Sequence, residues 1–407
     1  MNLPLGETTI EVDLDGCDVT VAEPPGGEPI DPREAAKRAL SSPLGPPLSW
    51  RVSPGDRIAI VVTDVTRATP DGMLVELLLD ELLEAGVSRG DVTIIVGLGL
   101  HRPLSGDELV ELLGDNADLA VNHDPDGVVE VGRIDGIPIE IHPAVARADL
   151  VLSTGMVEPH QYAGFSGGAK TVVIGAGGEA AIRYTHGPAM LGRKGVRLGR
   201  IAANPFREFL DRAGDLVGPD FCLNVTQGPD GIFGVAAGQH RPVVHKLAEH
   251  ALRVLSVPIS SDYDAVVAGV GAPKDANLYQ ATRAATYVAL GNCNPLRPGG
   301  RLVVPAELSE GAGQGRGEQR FYERLRDADS ADALYREMRA GYEPGAQRAF
   351  VLARVLCEHD VYVTNSQHPE VVEECLMTAR DRVEDAIDPG STVLVVPDAL
   401  NTLLIGS

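Results

Sequence analysis

The sequence runs to 407 residues, 44% of them hydrophobic, with a formal net charge of -23, and since a single core stops growing near ~250 to 300 residues it has chain enough for two. That charge would repel phosphate backbones and anionic lipid, which argues against nucleic acid and membrane surfaces as partners. The five cysteines are scattered without a C-x-x-C pair, against both a disulfide framework and a cysteine-built zinc site, and with no leader-like start and no apolar run near ~18 residues the chain reads as cytoplasmic.

In chain order, a first strand is expected at 8–14, followed by a Pro- and Gly-rich arm over 24–55 around the short helical patch DPREAAKRAL. From Arg57 the run RIAIVV, the 3.6-spaced helix MLVELLLDELLEAG and the run DVTIIVGLG make a βαβ unit with a parallel sheet. Short strands at 128–132, 137–141 and 149–153 lead into a glycine-dense stretch, 164–178, and a helix from Glu179. A second α/β pattern starts at YDAVVAGVG and continues through a helix from Leu278, the strand RLVVP, helices between 318 and 357, the strand DVYVTN, a helix over 371–378 and the strand STVLVVPD. The expected fold class is α/β: two lobes with mainly parallel sheets and an active site in the cleft between them. The N-terminal domain is expected over 1–260 and the C-terminal one over 261–390, with the strand within 391–407 packing back on the first.

In open α/β sheets the loops at the carboxyl ends of strands carry ligand groups. After RIAIVV come Asp64, Thr66 and Arg67; the arginine fork suits a carboxylate or phosphate, or Asp64 simply caps the turn and pairs with it. After DVTIIVGLGL comes His101, a general acid or base at neutral pH or a hydrogen-bonded loop residue. The third segment, Glu158 to His186, holds two histidines, a lysine and six glycines, a density that permits positive φ and close backbone approach to a bulky ligand. Within it, GFSGGAKT departs at Ala169 from the P-loop pattern, so a nucleotide-binding NTPase is a rival reading; Gly164, Ser166 and Gly168 fit G-x-S-x-G. Both motifs need a strand immediately before them and a helix immediately after, which the sequence lacks here. Ser166 is then a phosphate contact or a turn residue.

Five motifs in order, T-D-x-T-R, G-x-G-x-H-R-P, P-H-x-x-A-G-F-S-G-G-x-K, a histidine sixteen residues later and G-x-P-x-D-x-N-L-Y-Q, spread over 62–283, resemble the nickel-pincer nucleotide-dependent lactate racemase family. The resemblance implies a racemase or epimerase of 2-hydroxy acids. Its cofactor would be a nickel-pincer nucleotide tethered to Lys170, with His186 as the protein's nickel ligand, and Asp64, Thr66, Ser166, Gly167 and Gly168 near the nucleotide. It makes His101 and His160 the paired acid/base residues, Asp64 an orienting group, and Arg67, Tyr279, Gln280 and Arg283 the substrate contacts. Proteins that synthesise the cofactor are implied as partners in maturation. Where the lactate enzyme has a lysine this chain has Arg283, and where it has a second-domain tryptophan an approximate alignment gives Gln347, the only tryptophan being Trp50. Both departures point away from lactate toward a larger or more polar acid. A cofactor-free protein that binds small acids is the remaining alternative.

Overall fold

A computed structural model of the protein describes residues 1–65, 67–260, 262–341 and 346–406. The chain forms two units, one from residues 26–185 and 193–254, the other from 1–25, 186–192 and 255–407. Among the described residues no helix is long and apolar enough to cross a membrane.

The unit built on 26–185 centres on a six-stranded sheet in the order Gly231–Gly238, Phe221–Gly228, Leu150–Met156, Ile58–Val62, Val92–Val96, Ala120–Asn122. All neighbours are parallel except the 221–228/231–238 hairpin at one edge. Strands buried on both faces explain why RIAIVV and TIIV are unbroken apolar runs rather than alternating ones. The helix Asp71–Glu84 sets Leu74, Leu78 and Leu82 on one face and packs them with Ile60, Val62, Ile94, Val96 and Leu152 into one core. The chain moves outward from strand 58–62 through 92–96 to 120–122, then returns to 150–156 on the other flank. The order therefore reverses between 58–62 and 150–156, the crevice at which ligands of open sheets sit.

The other unit carries six parallel strands in the order Thr378–Arg380, Asp360–Thr364, Leu296–Pro305, Tyr263–Ala268, Thr392–Val396, Asp18–Val21. The closing segment does pair with residues from the first 260: strand 392–396 with 18–21, and Leu403–Gly406 with Ser256–Ile259. Those partners belong to this second unit, so the first 25 residues group with the C-terminal half. The helix expected over 371–378 ends at Glu373; the chain turns through Leu376 at φ 60° and enters strand 378–380 beside 360–364. The helix expected from Leu278 is two short ones, Leu278–Ala281 and Arg283–Ala289.

Candidate active site

The ends of strands 58–62 and 150–156 are tied together by a buried carboxylate. Asp71, in the first turn of helix 71–84, accepts a hydrogen bond from Thr63 Oγ1 at 2.5 Å and another from Thr154 Oγ1. It is 1% exposed, and burial pushes its pKa up to about 7 against the pull of the two hydroxyls. This fastens the crevice floor. Next to it, Asp64 is buried and its Oδ2 lies 2.5 Å from Nδ1 of the largely exposed His101.

The two histidines expected to act as a pair are held in complementary states. A carboxylate can only accept, so His101 carries a proton on Nδ1. His160 accepts at Nδ1 from the backbone N–H groups of Tyr162 (3.3 Å) and Ala163 (3.1 Å), which puts its ring proton on Nε2. One ring is held through a donating Nδ1, the other through an accepting Nδ1.

Lys170 is half-buried at the entry to a single π-helical turn, Thr171–Gly175. Its amine pKa is held down to about 7, first by burial and then by the charges of Arg67 and Arg207, with Glu158 and Asp64 opposing. Arg67 forms an ion pair with Glu158, and its backbone N–H donates to the Asp64 carbonyl. Glu158 is a site residue that sequence reasoning did not assign; its position two residues before His160 and two past the end of strand 150–156 was the available signal. Thr66 lies outside the described residues.

The glycines serve the chain's own packing. Gly97 and Gly175 touch backbone to backbone, since a Cβ on Gly97 would meet Gly175 Cα at 3.2 Å, and Gly99 N–H donates to Gly175 O. The His101 loop thus rests on the end of the turn that Lys170 opens. Gly164 has φ 77°, and a Cβ there would stand 2.0 Å from Arg200 O. Ser166 Oγ donates to Met156 O at 2.6 Å and accepts from Glu158 N at 3.0 Å, which closes the loop on itself. Neither rival motif has its framework here. Between strand 150–156 and Lys170 stands a small hairpin, Pro159–His160 against Gly164–Phe165, and no α-helix follows Thr171 directly.

His186 directly follows the helix Glu179–Thr185 and begins the segment that groups with the second unit. Among the described residues no three His, Cys, Asp or Glu side chains converge to hold a metal ion. In that second unit, Asn277 Oδ1 caps helix 278–281 by accepting from Gln280 N. Arg283 reaches Gln280 Oε1 at 3.3 Å and Tyr287 OH at 2.7 Å, and Arg348 lies across the Tyr279 ring at 4.7 Å. Arg348 adjoins Gln347, the position read as replacing a tryptophan, and its place against Tyr279 was not foreseen.

The sequence model of the lactate racemase N-terminal domain matches residues 5–199, and that of the C-terminal domain residues 259–403. A lactate racemase of Thermoanaerobacterium thermosaccharolyticum is 28% identical over 393 residues, covering 91% of this chain and 90% of the relative. One from Lactiplantibacillus plantarum is 28% identical over 397 residues, covering 92% and 91%. The fold matches the lactate racemase apoprotein of T. thermosaccharolyticum with a TM-score of 0.86 at 24% identity over 99% of each chain. With both domain models matched in order along its length, this chain belongs to the lactate racemase family.

Proposed function

We propose that the protein is a racemase or epimerase of a 2-hydroxy acid other than lactate, acting by proton-coupled hydride transfer with a nickel-pincer nucleotide tethered to Lys170. The observation that carries this reading is the amine of Lys170, with its pKa held down to about 7 by burial and by Arg67 and Arg207, at the end of the loop that carries His160. An amine with a pKa of about 7 is substantially uncharged at neutral pH, so Lys170 would be the residue suited to hold the group through a covalent tether. His186 would be the protein's ligand to the nickel ion, whose other donors would come with the group. When bound, the group supplies a hydride acceptor and donor for the substrate Cα.

The chain's own residues supply proton handling and binding. His101 Nε2 takes the hydroxyl proton as Cα becomes trigonal, and the Asp64 carboxylate stabilises the imidazolium that results. His160 Nε2–H can hydrogen-bond the substrate oxygen of the opposite hand, and the ring exchanges a proton with it only once Nδ1 is itself protonated, so that Nε2 cycles between lone pair and N–H. In either sense its ring must first release the Tyr162 and Ala163 amides so that Nδ1 can carry the proton. Arg67 holds an anionic oxygen in exchange for Glu158, and Tyr279, Gln280 and Arg283 contact the acid. Arg283 against Gln280 and Arg348 against the Tyr279 ring favour an acid with a second carboxylate or several hydroxyls over lactate. All five cysteines are free, in keeping with action in the cytoplasm, where cofactor-synthesis proteins would load the chain.

The test is co-expression with a cofactor-synthesis system, followed by intact mass and nickel content for wild type and Lys170→Ala. Wild type should gain one nucleotide adduct with nickel, and the variant neither. An adduct that persists in the variant, or none under conditions that load another family member, overturns the reading.

A further inference from the structure

The helix Pro205–Val217 starts from Asn204 as its N-cap, a residue that is fully buried. Its Oδ1 does the capping, accepting from Phe206 N at 3.0 Å and from Arg207 N at 3.3 Å. Serine, threonine or aspartate would cap as well, so capping alone does not call for asparagine. What the amide adds is a second end that donates twice. Asn204 Nδ2 gives one hydrogen bond to Tyr162 O and one to Arg200 O, both at 2.8 Å. The carbonyl of Tyr162 and the N–H of Ala163 belong to one planar peptide unit and point in opposite directions. Fixing the oxygen therefore aims the N–H, and that nitrogen lies 3.1 Å from Nδ1 of His160.

The rest of the helix start grips the same hairpin. Arg207, 1% exposed, donates from Nη2 to Phe165 O, and the Phe206 ring stands 6.2 Å from the His160 ring between centroids. Arg200 O, which Asn204 holds, is the atom that a Cβ on Gly164 would meet at 2.0 Å, and Gly164 pairs with His160 across the hairpin. A peptide anchored at both its oxygen and its N–H cannot turn without giving up a hydrogen bond, which burial makes costly. We propose that Asn204 is a positioning residue for His160: by holding the 162–163 peptide it keeps an N–H against Nδ1, so that the resting ring carries its proton on Nε2. This rests on the reading of His160 as an acid/base residue. Before Nδ1 can take a proton the peptide must swing away, and Asn204 resists that movement.

The experiment uses carbon- and nitrogen-labelled full-length protein without cofactor, about two pH units above the ordinary histidine value of ~6.5 so that the ring is neutral throughout. Magnetic resonance reads couplings across hydrogen bonds, and the His160 signals are those lost in His160→Gln. Wild type should show coupling between the Ala163 nitrogen and His160 Nδ1, and between Asn204 Nδ2 and the Tyr162 carbonyl carbon, with no proton on Nδ1. Asn204→Ser keeps a capping oxygen but is too short to hold the carbonyl, and Asn204→Asp keeps the oxygen but cannot donate. Both should lose the coupling from Ala163 to His160, and the Nδ1 signal should move toward that of a protonated nitrogen as the second tautomer appears. Amides across helix 205–217 should stay protected from exchange, since the cap survives. An unchanged coupling and tautomer in either folded variant overturns the proposal, as does absence of either coupling in wild type. If neither variant folds, the wild-type couplings decide alone. Cofactor uptake does not enter this readout, so a chain that behaved as expected yet took up no nucleotide would sink only the functional reading.

Discussion

Asp64 is buried while its partner His101 is largely exposed, so the carboxylate fixes both the tautomer and the direction of an otherwise mobile ring. In Asp64→Asn the amide can present its N–H to the ring instead of its oxygen, which allows the wrong tautomer and leaves no negative charge to steady the imidazolium. Turnover by loaded enzyme should fall by about 10² to 10⁴-fold, while the adduct on Lys170 still forms. An unchanged kcat would remove Asp64 from the mechanism. Asp71 makes a different prediction. Its pKa is raised by burial to about 7 in the folded protein against ~3.9 unfolded. Between those values the folded state binds the proton and the unfolded state does not, so this group's contribution to stability is full at low pH and is lost as pH rises toward 7. Asp71→Asn keeps the shape and removes the titration. Relative to wild type its unfolding free energy should therefore gain by about 1.4 kcal/mol per pH unit across that window. Thermal melts of both proteins at mildly acidic and neutral pH check this, and a constant difference would refute it.

The loop from Met156 to Lys170 shows what patterns reveal and what they hide. Its glycines, Lys170 and His160 stood out by composition, and the strand before it by its apolar run. The partners that shape it did not, because they come from distant segments: Asn204 and Arg207 from helix 205–217, Gly97 from the end of strand 92–96. The hairpin 221–228/231–238 and helix 205–217 form part of the same scaffold and drew no expectation, although Asn-Pro at a helix start and Gly-Pro-Asp-Gly between apolar runs are readable signals. Ser166 illustrates the limit at one position. A serine in a glycine-rich loop invites a phosphate, yet its hydroxyl is committed at both ends to the backbone of 156–158. Ser166→Ala should cost about 1 to 3 kcal/mol of stability, the penalty for a buried N–H left without its acceptor, as measured by denaturant unfolding. Cofactor attachment at native temperature should persist. Loss of attachment with unchanged stability would instead make the hydroxyl a ligand.

The two α/β cores followed from length and from the repeated strand and helix pattern. Their division did not, because strand 18–21 pairs with 392–396 across almost the whole chain, and no local pattern encodes a pairing at that separation. Net charge is legible at this scale, and it has a kinetic consequence. At -23 the molecule repels an incoming acid at long range, while at the site the Arg67 charge is matched by Glu158 and does little beyond contact distance. The Debye length shrinks from about 30 Å at 0.01 M salt to about 8 Å at 0.15 M, so adding salt should remove the long-range repulsion sooner than it weakens the short contacts. The loaded enzyme should therefore show kcat/KM rising severalfold over that range, whereas a fall would mean that the local arginines dominate the approach. The same series measures the substrate: repulsion scales with its charge, so a dicarboxylate should show about twice the logarithmic slope of a monocarboxylate. Acids of equal size but different charge, compared by that slope, would separate charge matching by Arg283 and Arg348 from simple accommodation of bulk.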